Sequence, residues 1–327
     1  MDFCGFAQLE PERKKLEKDT YFDLASLTKP LTTVLLLLAL FEKKILTGSS
    51  RLGDIFPSCP PDKRDISITQ LMSHSGGFVP HRDYFKELIK MEEGKRKDYL
   101  LNTILAEKLT SLPGENHCYS DIGYILLGLI IEERTGEGIA TLSDSLLYRP
   151  LRLHNQLFFP GLDGRQGAGY ASTEVCPWSK KMLCGTVHDD NCRAMGGVAG
   201  HAGLFGTLEG VVTLCEQLLD QWKGRGGHPA YSNPQLIRAL QRVGNSNWTM
   251  GFDMVSREDS SAGSHFSRES IGHLGFTGTS FWIDPQKECI AVLLTNRVHP
   301  SRENWKIKEF RPLFHDILME EFLLSHR

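Results

Sequence analysis

The sequence has no apolar run long enough to cross a bilayer. The longest, Val34 to Phe41, falls far short of the ~20 residues a spanning helix needs. Charge of one sign is not in excess either: 37 Lys and Arg face 40 Asp and Glu, a net charge of −3. With a pI near 6.5, nothing points to nucleic acid or an anionic membrane as a partner. No basic segment followed by an apolar one opens the chain, so no secretory signal is visible and the cytoplasm is the expected compartment. The eight cysteines, at 4, 59, 118, 176, 184, 192, 215 and 289, lack tight pairing and are expected as reduced thiols. Also missing are a Gly-x-Ser-x-Gly elbow, a His-Glu-x-x-His zinc motif, a P-loop and the dinucleotide glycine fingerprint.

What is present begins with apolar residues, 40% of 327, ample for a large core. No repeat, low-complexity segment or clean linker divides the chain. A short strand is expected over Cys4 to Leu9 and a buried helix over Ser26 to Lys44, with Pro30 tolerable only near its start. Further helices are expected at Ile68 to His74, Tyr99 to Leu109, Tyr119 to Thr135 and Leu208 to Trp222. The charged stretch Lys90 to Asp98 mixes both signs and reads as a solvated helix face or loop. Thr279 to Asp284 and Glu288 to Asn296 read as strands of a hairpin turning at Pro285-Gln286-Lys287, and 305–325 as a closing amphipathic helix. The expected fold is one α+β domain. Residues 1–50 and 256–327 would form an antiparallel sheet built from both chain ends and flanked by helices, and 51–255 a mainly helical insertion.

Three constellations carry chemistry. Ser26-Leu-Thr-Lys29 puts a lysine one helical turn from a serine, within reach of its hydroxyl proton, at a helix start whose dipole favours developing negative charge. The plain alternative is a helix N-cap serine beside a solvated lysine. Pro113-Gly-Glu-Asn-His-Cys-Tyr119-Ser120-Asp121 sets a tyrosine at a loop-to-helix junction, where a nearby ammonium would favour phenolate; an ordinary half-buried tyrosine is the bland reading. Gly272-His273-Leu-Gly275-Phe276-Thr277-Gly278 is glycine-rich beside a strand, so backbone N–H groups can approach an oxyanion, although a glycine bulge would read the same way.

In this order and spacing, the three resemble the serine β-lactamase and penicillin-binding-protein superfamily, most closely its class C β-lactamase, esterase and D-aminopeptidase branch. The resemblance runs from about Gly5 to Pro300. It includes Phe22-Asp-Leu-Ala-Ser26, Leu71-Met-Ser-His-Ser-Gly-Gly77, Gly196-Gly-Val-Ala-Gly-His-Ala-Gly-Leu-Phe205 and Leu293-Leu-Thr-Asn296. It implies a β-lactamase/transpeptidase-like fold, acylation of Ser26, proton shuttling by Lys29 and Tyr119, and an oxyanion hole of the Ser26 and Phe276 backbone N–H groups. Asp121, His273, Gly275 and Thr277 would meet the substrate, and His188 and His201 would border the pocket. No cofactor is implied. A metal at His188, His201, Cys184 and Cys192 is not expected, because their spacing is not that of a zinc site.

Three departures refine this. Asp121 stands where the family commonly has Asn, and an ionised carboxylate can only accept hydrogen bonds, which disfavours efficient β-lactam hydrolysis. His273 replaces a lysine and removes a permanent cation facing a substrate carboxylate. Ser26 also comes early: family members have one more strand ahead of it, so a longer natural N-terminus with an export signal stays open. The resulting expectation is a serine hydrolase of small esters, D-amino-acid amides or muropeptide-like peptides, weak on β-lactams. The alternatives are a DD-carboxypeptidase, a true class C β-lactamase, or a catalytically silent scaffold for binding or assembly. The expected partner is a small-molecule or peptide substrate.

Overall fold

A computed structural model describes residues 1–161, 164–165 and 169–325. The strands are β1 (Phe6–Gln8), β2 (Lys14–Lys15), β3 (Phe22–Asp23), β4 (Leu157–Phe158), β5 (Phe205–Gly206), β6 (Asp253–Met254), β7 (Ile271–Leu274), β8 (Ser280–Asp284) and β9 (Cys289–Leu293). The α-helices are α1 (Leu35–Glu42), α2 (Leu52–Ile55), α3 (Ile68–Met72), α4 (Phe85–Leu88), α5 (Glu93–Ala106), α6 (Asp121–Thr135), α7 (Ile139–Leu142), α8 (Asp190–Ala194), α9 (Leu208–Trp222), α10 (Asn233–Ala239) and α11 (Ile307–Ser325).

The helix expected from Ser26 to Lys44 is present in three pieces: a 3₁₀ turn over Ala25–Leu27, a wide π-type turn over Lys29–Val34, and α1. Pro30 explains the break, since it has no N–H to donate and its ring crowds the preceding turn. No unbroken apolar run here is long enough to cross a membrane, but Ala25–Glu42 taken as one helix has the length and mean hydropathy of a span; since every residue from Leu27 to Leu40 is buried, it is a core helix. Before it, Ala25 holds a φ of +48°, a left-handed backbone that a non-glycine residue adopts only under constraint. The buried Asp23 carboxylate supplies that constraint by accepting from the Ala25 N–H at 2.9 Å.

The main sheet is antiparallel, in the order β6-β7-β8-β9. On β8 the side chains alternate as a two-faced strand requires: Phe281 and Ile283 enter the large core under α9, and Trp282 enters a second core with Met319 of α11. The helix α9 presents Val211, Leu214, Cys215 and Leu218 at helical spacing, all buried. Truncating one of them, as in Leu214→Ala, should cost about 2–5 kcal/mol.

The α+β architecture holds, with one difference in detail. All four strands of the main sheet lie between residues 253 and 293, and β1 pairs instead with β2. The Ala7 carbonyl is satisfied by the Ser172 N–H and the Asn296 amide, and the Leu9 N–H by His299 Nε2. The chain ends therefore meet through side chains and single bonds rather than through a shared ladder.

The helix α6 begins at Ser120, whose hydroxyl caps the Gly123 N–H, and ends at Gly136 in the left-handed conformation. Halfway along, Gly128 lies against Gly200; a Cβ on Gly200 would sit 2.2 Å from the Tyr124 carbonyl. That approach brings the loop 196–204 against the helix carrying Lys29, where the Thr33 hydroxyl donates to Gly200 O at 2.6 Å.

Candidate active site

Ser26 is half-buried at the floor of a cleft of about 860 Å³, lined on one side by Tyr119, Asp121, His81 and Trp248 and on the other by His273, Gly275, Phe276 and Trp305. Lys29, fully buried, pairs its Nζ with Asp121 Oδ1 at 2.8 Å and donates to Ser26 Oγ at 2.9 Å and to His201 O at 3.1 Å. Burial alone would lower the pKa of Lys29, but the Asp121 carboxylate beside it outweighs this and holds the pKa above its usual value. Burial would likewise raise the pKa of Asp121, yet Lys29 and a hydrogen bond from His81 keep it well below the carboxylate range. The pair is therefore an ammonium and a carboxylate.

Tyr119 stands over this pair, its ring centroid 5.0 Å from Lys29 Nζ, and its hydroxyl interacts with both Lys29 and Ser26. The Lys29 ammonium favours phenolate, as expected, but it is outweighed. Burial dominates, and with Asp121 it pushes the tyrosine pKa up to about 12 despite Lys29. His74, buried with a φ of +59°, packs its ring 4.7 Å from that of Tyr119, and its Nδ1 accepts from the Ser120 N–H, which fixes the start of α6.

The turn after β7 forms the opposite wall. Gly278 N–H donates to Gly275 O, with Gly278 at φ +109°, and a Cβ on Gly275 would lie 2.8 Å from Leu24 O. Glycine is thus required for this turn to approach the nucleophile's own segment. The Phe276 N–H has no acceptor among the described residues. Phe276 is 43% exposed and stacks on His188, while Arg297 bonds its carbonyl at 2.8 Å.

Not every expected site residue faces the cleft. Thr277 is turned inward and buried; its hydroxyl donates to Asp23 O at 2.7 Å, so it ties the turn to the segment before Ser26 rather than meeting a substrate. His273 is buried with Nδ1 2.9 Å from Leu274 O; that oxygen only accepts, so the proton is on Nδ1 and Nε2 carries a lone pair without a partner among the described residues. Burial lowers its pKa, which makes it a neutral acceptor. His188 lines the cleft with its Nε2 3.2 Å from Glu174, whereas His201 is buried behind Lys29 and bonds Asp189 at 2.9 Å. Among the described residues, no cluster of three or more His, Cys, Asp or Glu side chains is arranged to hold a metal. All eight cysteines are free.

Trp282 lines the cleft from the core, while Trp178 lies outside its wall and donates to Asp190. Sequence reasoning missed His81, Trp248, Arg297, Trp305 and Arg311. Each lies far from the three motifs, and no spacing rule connects them to these.

A family model described as Beta-lactamase matches residues 2–310. Over 313 residues the chain is 29% identical to a protein of Escherichia coli K12 named "Putative D-alanyl-D-alanine carboxypeptidase", covering 87% of this chain and 71% of that protein. Over 318 residues it is 29% identical to the N-acetylmuramyl-L-alanine amidase of Bacillus subtilis 168, covering 87% and 70%. It shares its fold with EstCE1, a hydrolase with promiscuous acyltransferase activity, at a TM-score of 0.70 and 18% identity over 94% of this chain and 89% of that one.

Proposed function

This chain belongs to the β-lactamase family, and on that premise we propose that it is a serine hydrolase forming an acyl-enzyme through Ser26. The observation that carries the reading is the Ser26 Oγ at 2.9 Å from Lys29 Nζ, in a cleft also lined by Phe276, whose N–H has no acceptor among the described residues.

The charge states set the proton path. Lys29 donates to Ser26 Oγ, so the serine's own proton points elsewhere, and Tyr119 is the neighbour that can take it. As Ser26 Oγ bonds to the substrate carbonyl carbon, its proton passes to Tyr119 Oη, and the phenol passes its own proton to the departing oxygen or nitrogen. Water reverses the path in deacylation: its proton moves to Tyr119, and that of Tyr119 to Ser26 Oγ. Neither free phenolate nor neutral lysine is required, which suits a phenol with a pKa of about 12. The lysine ammonium and the backbone N–H groups of Ser26 and Phe276 stabilise the charge that develops meanwhile.

The substrate class that fits is a small ester, or an amide or peptide of D-amino-acid or muropeptide type, as the names of the carboxypeptidase and amidase relatives suggest. A neutral His273 brings no cation to a substrate carboxylate. One observation favours the carboxypeptidase reading: Lys308 lines the cleft, packs on Trp305, and has no carboxylate partner among the described residues.

The test is turnover of p-nitrophenyl acetate and D-alanyl-p-nitroanilide by wild type and Ser26→Ala. Turnover of either that disappears in the variant supports the reading; equal turnover in both rejects it. Lack of turnover in wild type, together with a biological effect retained by Ser26→Ala, would favour a silent scaffold.

A further inference from the structure

Against the turn 275–279 lies a buried cation with no carboxylate partner among the described residues. Arg311 of α11 is 7% exposed; its Nη2 donates to Gly275 O at 2.6 Å and to Thr279 O at 2.8 Å, and its buried Nε meets no acceptor among the described residues. Burying a guanidinium against neutral acceptors alone is costly, and a methionine would fill the same helix position at less expense. Burial pulls its pKa down to about 10, so it stays charged near neutral pH.

Its two bonds meet two peptide groups, Gly275–Phe276 and Thr279–Ser280, and the first, whose carbonyl also accepts from the Gly278 N–H, carries the oxyanion donor. The Gly275 carbonyl and the Phe276 N–H belong to the same amide, and in a trans amide they point in opposite directions. Arg311 itself borders the cleft; with the oxygen held on its guanidinium, the N–H of the same amide points the other way and meets no acceptor among the described residues, which leaves it open to the cleft that Ser26, Gly275 and Phe276 also line. A cation on the carbonyl also polarises the amide and strengthens its N–H as a donor. On the other side, Arg297 Nε holds Phe276 O, and the Arg297 N–H donates to Thr277 O at 3.0 Å.

We infer that Arg311 is a positioning residue for the oxyanion-binding turn, locking the Gly275–Phe276 amide with its N–H aimed at the carbonyl that Ser26 attacks. The inference rests on the acyl-enzyme reading above. Four quantities test it in wild type, Arg311→Met and Arg311→Lys: the rate at which a fluorophosphonate modifies Ser26, kcat and KM on p-nitrophenyl acetate, and the Kd of phenylboronic acid. Arg311→Met should lower the modification rate and kcat by about 10–100-fold and weaken the boronate by a similar factor, with KM within about threefold. Arg311→Lys keeps one of the two bonds and should fall between.

Unchanged kcat and boronate affinity would overturn the inference. So would a rise in KM confined to carboxylate-bearing esters with kcat intact, which would make Arg311 a substrate anchor. If the methionine variant does not fold, the lysine variant decides on the same criteria. Failure of the wild type to be labelled on Ser26 would instead sink the acyl-enzyme reading itself, and this inference with it.

Discussion

Replacing Asp121 by asparagine probes the charge state on which the proton path depends. Nζ of Lys29 and Oδ1 of Asp121 are 2.8 Å apart, and the lysine is fully buried. At that distance and an effective dielectric of about 20, the attraction is on the order of 6 kcal/mol before desolvation. Removing one partner of a buried pair typically costs about 3–5 kcal/mol; Lys29 can limit the loss by shedding its proton, so a destabilisation of about 3 kcal/mol is expected at pH 7.

The sign of the pH dependence is the sharper test. In wild type the lysine pKa is raised above 10.5, so the pair's contribution is fully present below that pH. In Asp121→Asn the burial penalty is left largely unopposed and the folded pKa falls below 10.5. Between that value and 10.5 the unfolded chain binds the extra proton, so the variant should gain up to about 1.4 kcal/mol per pH unit while wild type stays level. Urea unfolding at pH 7 and 9.5 reads this directly. A variant within about 0.5 kcal/mol of wild type at both pH values would refute the charge assignment.

Further outcomes follow from the same geometry. Tyr119→Phe keeps the ring packing on His74 but removes the relay atom; kcat should fall by about 10²–10⁴-fold with little change in KM, checked by steady-state kinetics. His273→Lys should raise the preference for carboxylate-bearing over neutral esters, read as the ratio of their kcat/KM values; an unchanged ratio would show that this wall does not face the substrate. His74, His273 and His315 all have pKa values lowered by burial, His315 to about 4. Each is neutral when folded and takes a proton when unfolded below about 6.5, so Tm should fall from pH 7 to pH 5. His81, raised by Asp121, pulls the other way, and His315→Gln should flatten the slope.

The parts of this molecule legible in its sequence are those governed by local periodicity. A Ser–Lys spacing of one turn, the apolar run Phe281 to Ile283 ahead of the Pro285-Gln286-Lys287 turn and the stripe along Leu208 to Trp222 each fix a geometry within a few residues. Illegible parts depend on which distant atoms meet. Burial outweighs the ammonium's effect on Tyr119, and its cost depends on packing that Cys118-Tyr119-Ser120 does not reveal. Thr277 looked like a substrate contact within its motif, yet the nearby Asp23 carbonyl claims its hydroxyl. Arg311 sits on an amphipathic helix where a charge reads as solvent-facing, and two carbonyls from a turn more than thirty residues earlier hold it inside. The strand over Phe6–Gln8 was foreseeable, but its partner was not, since its bonds go to a two-residue strand and to isolated side chains.

The central claim, an activated serine at position 26, is tested most directly by fluorescent fluorophosphonate labelling of purified wild type and Ser26→Ala, with the modified peptide mapped by mass spectrometry. The account predicts one label, on Ser26, lost in the alanine variant while its unfolding curve is unchanged. Label on another residue, or a folded wild-type protein that takes none, would contradict it.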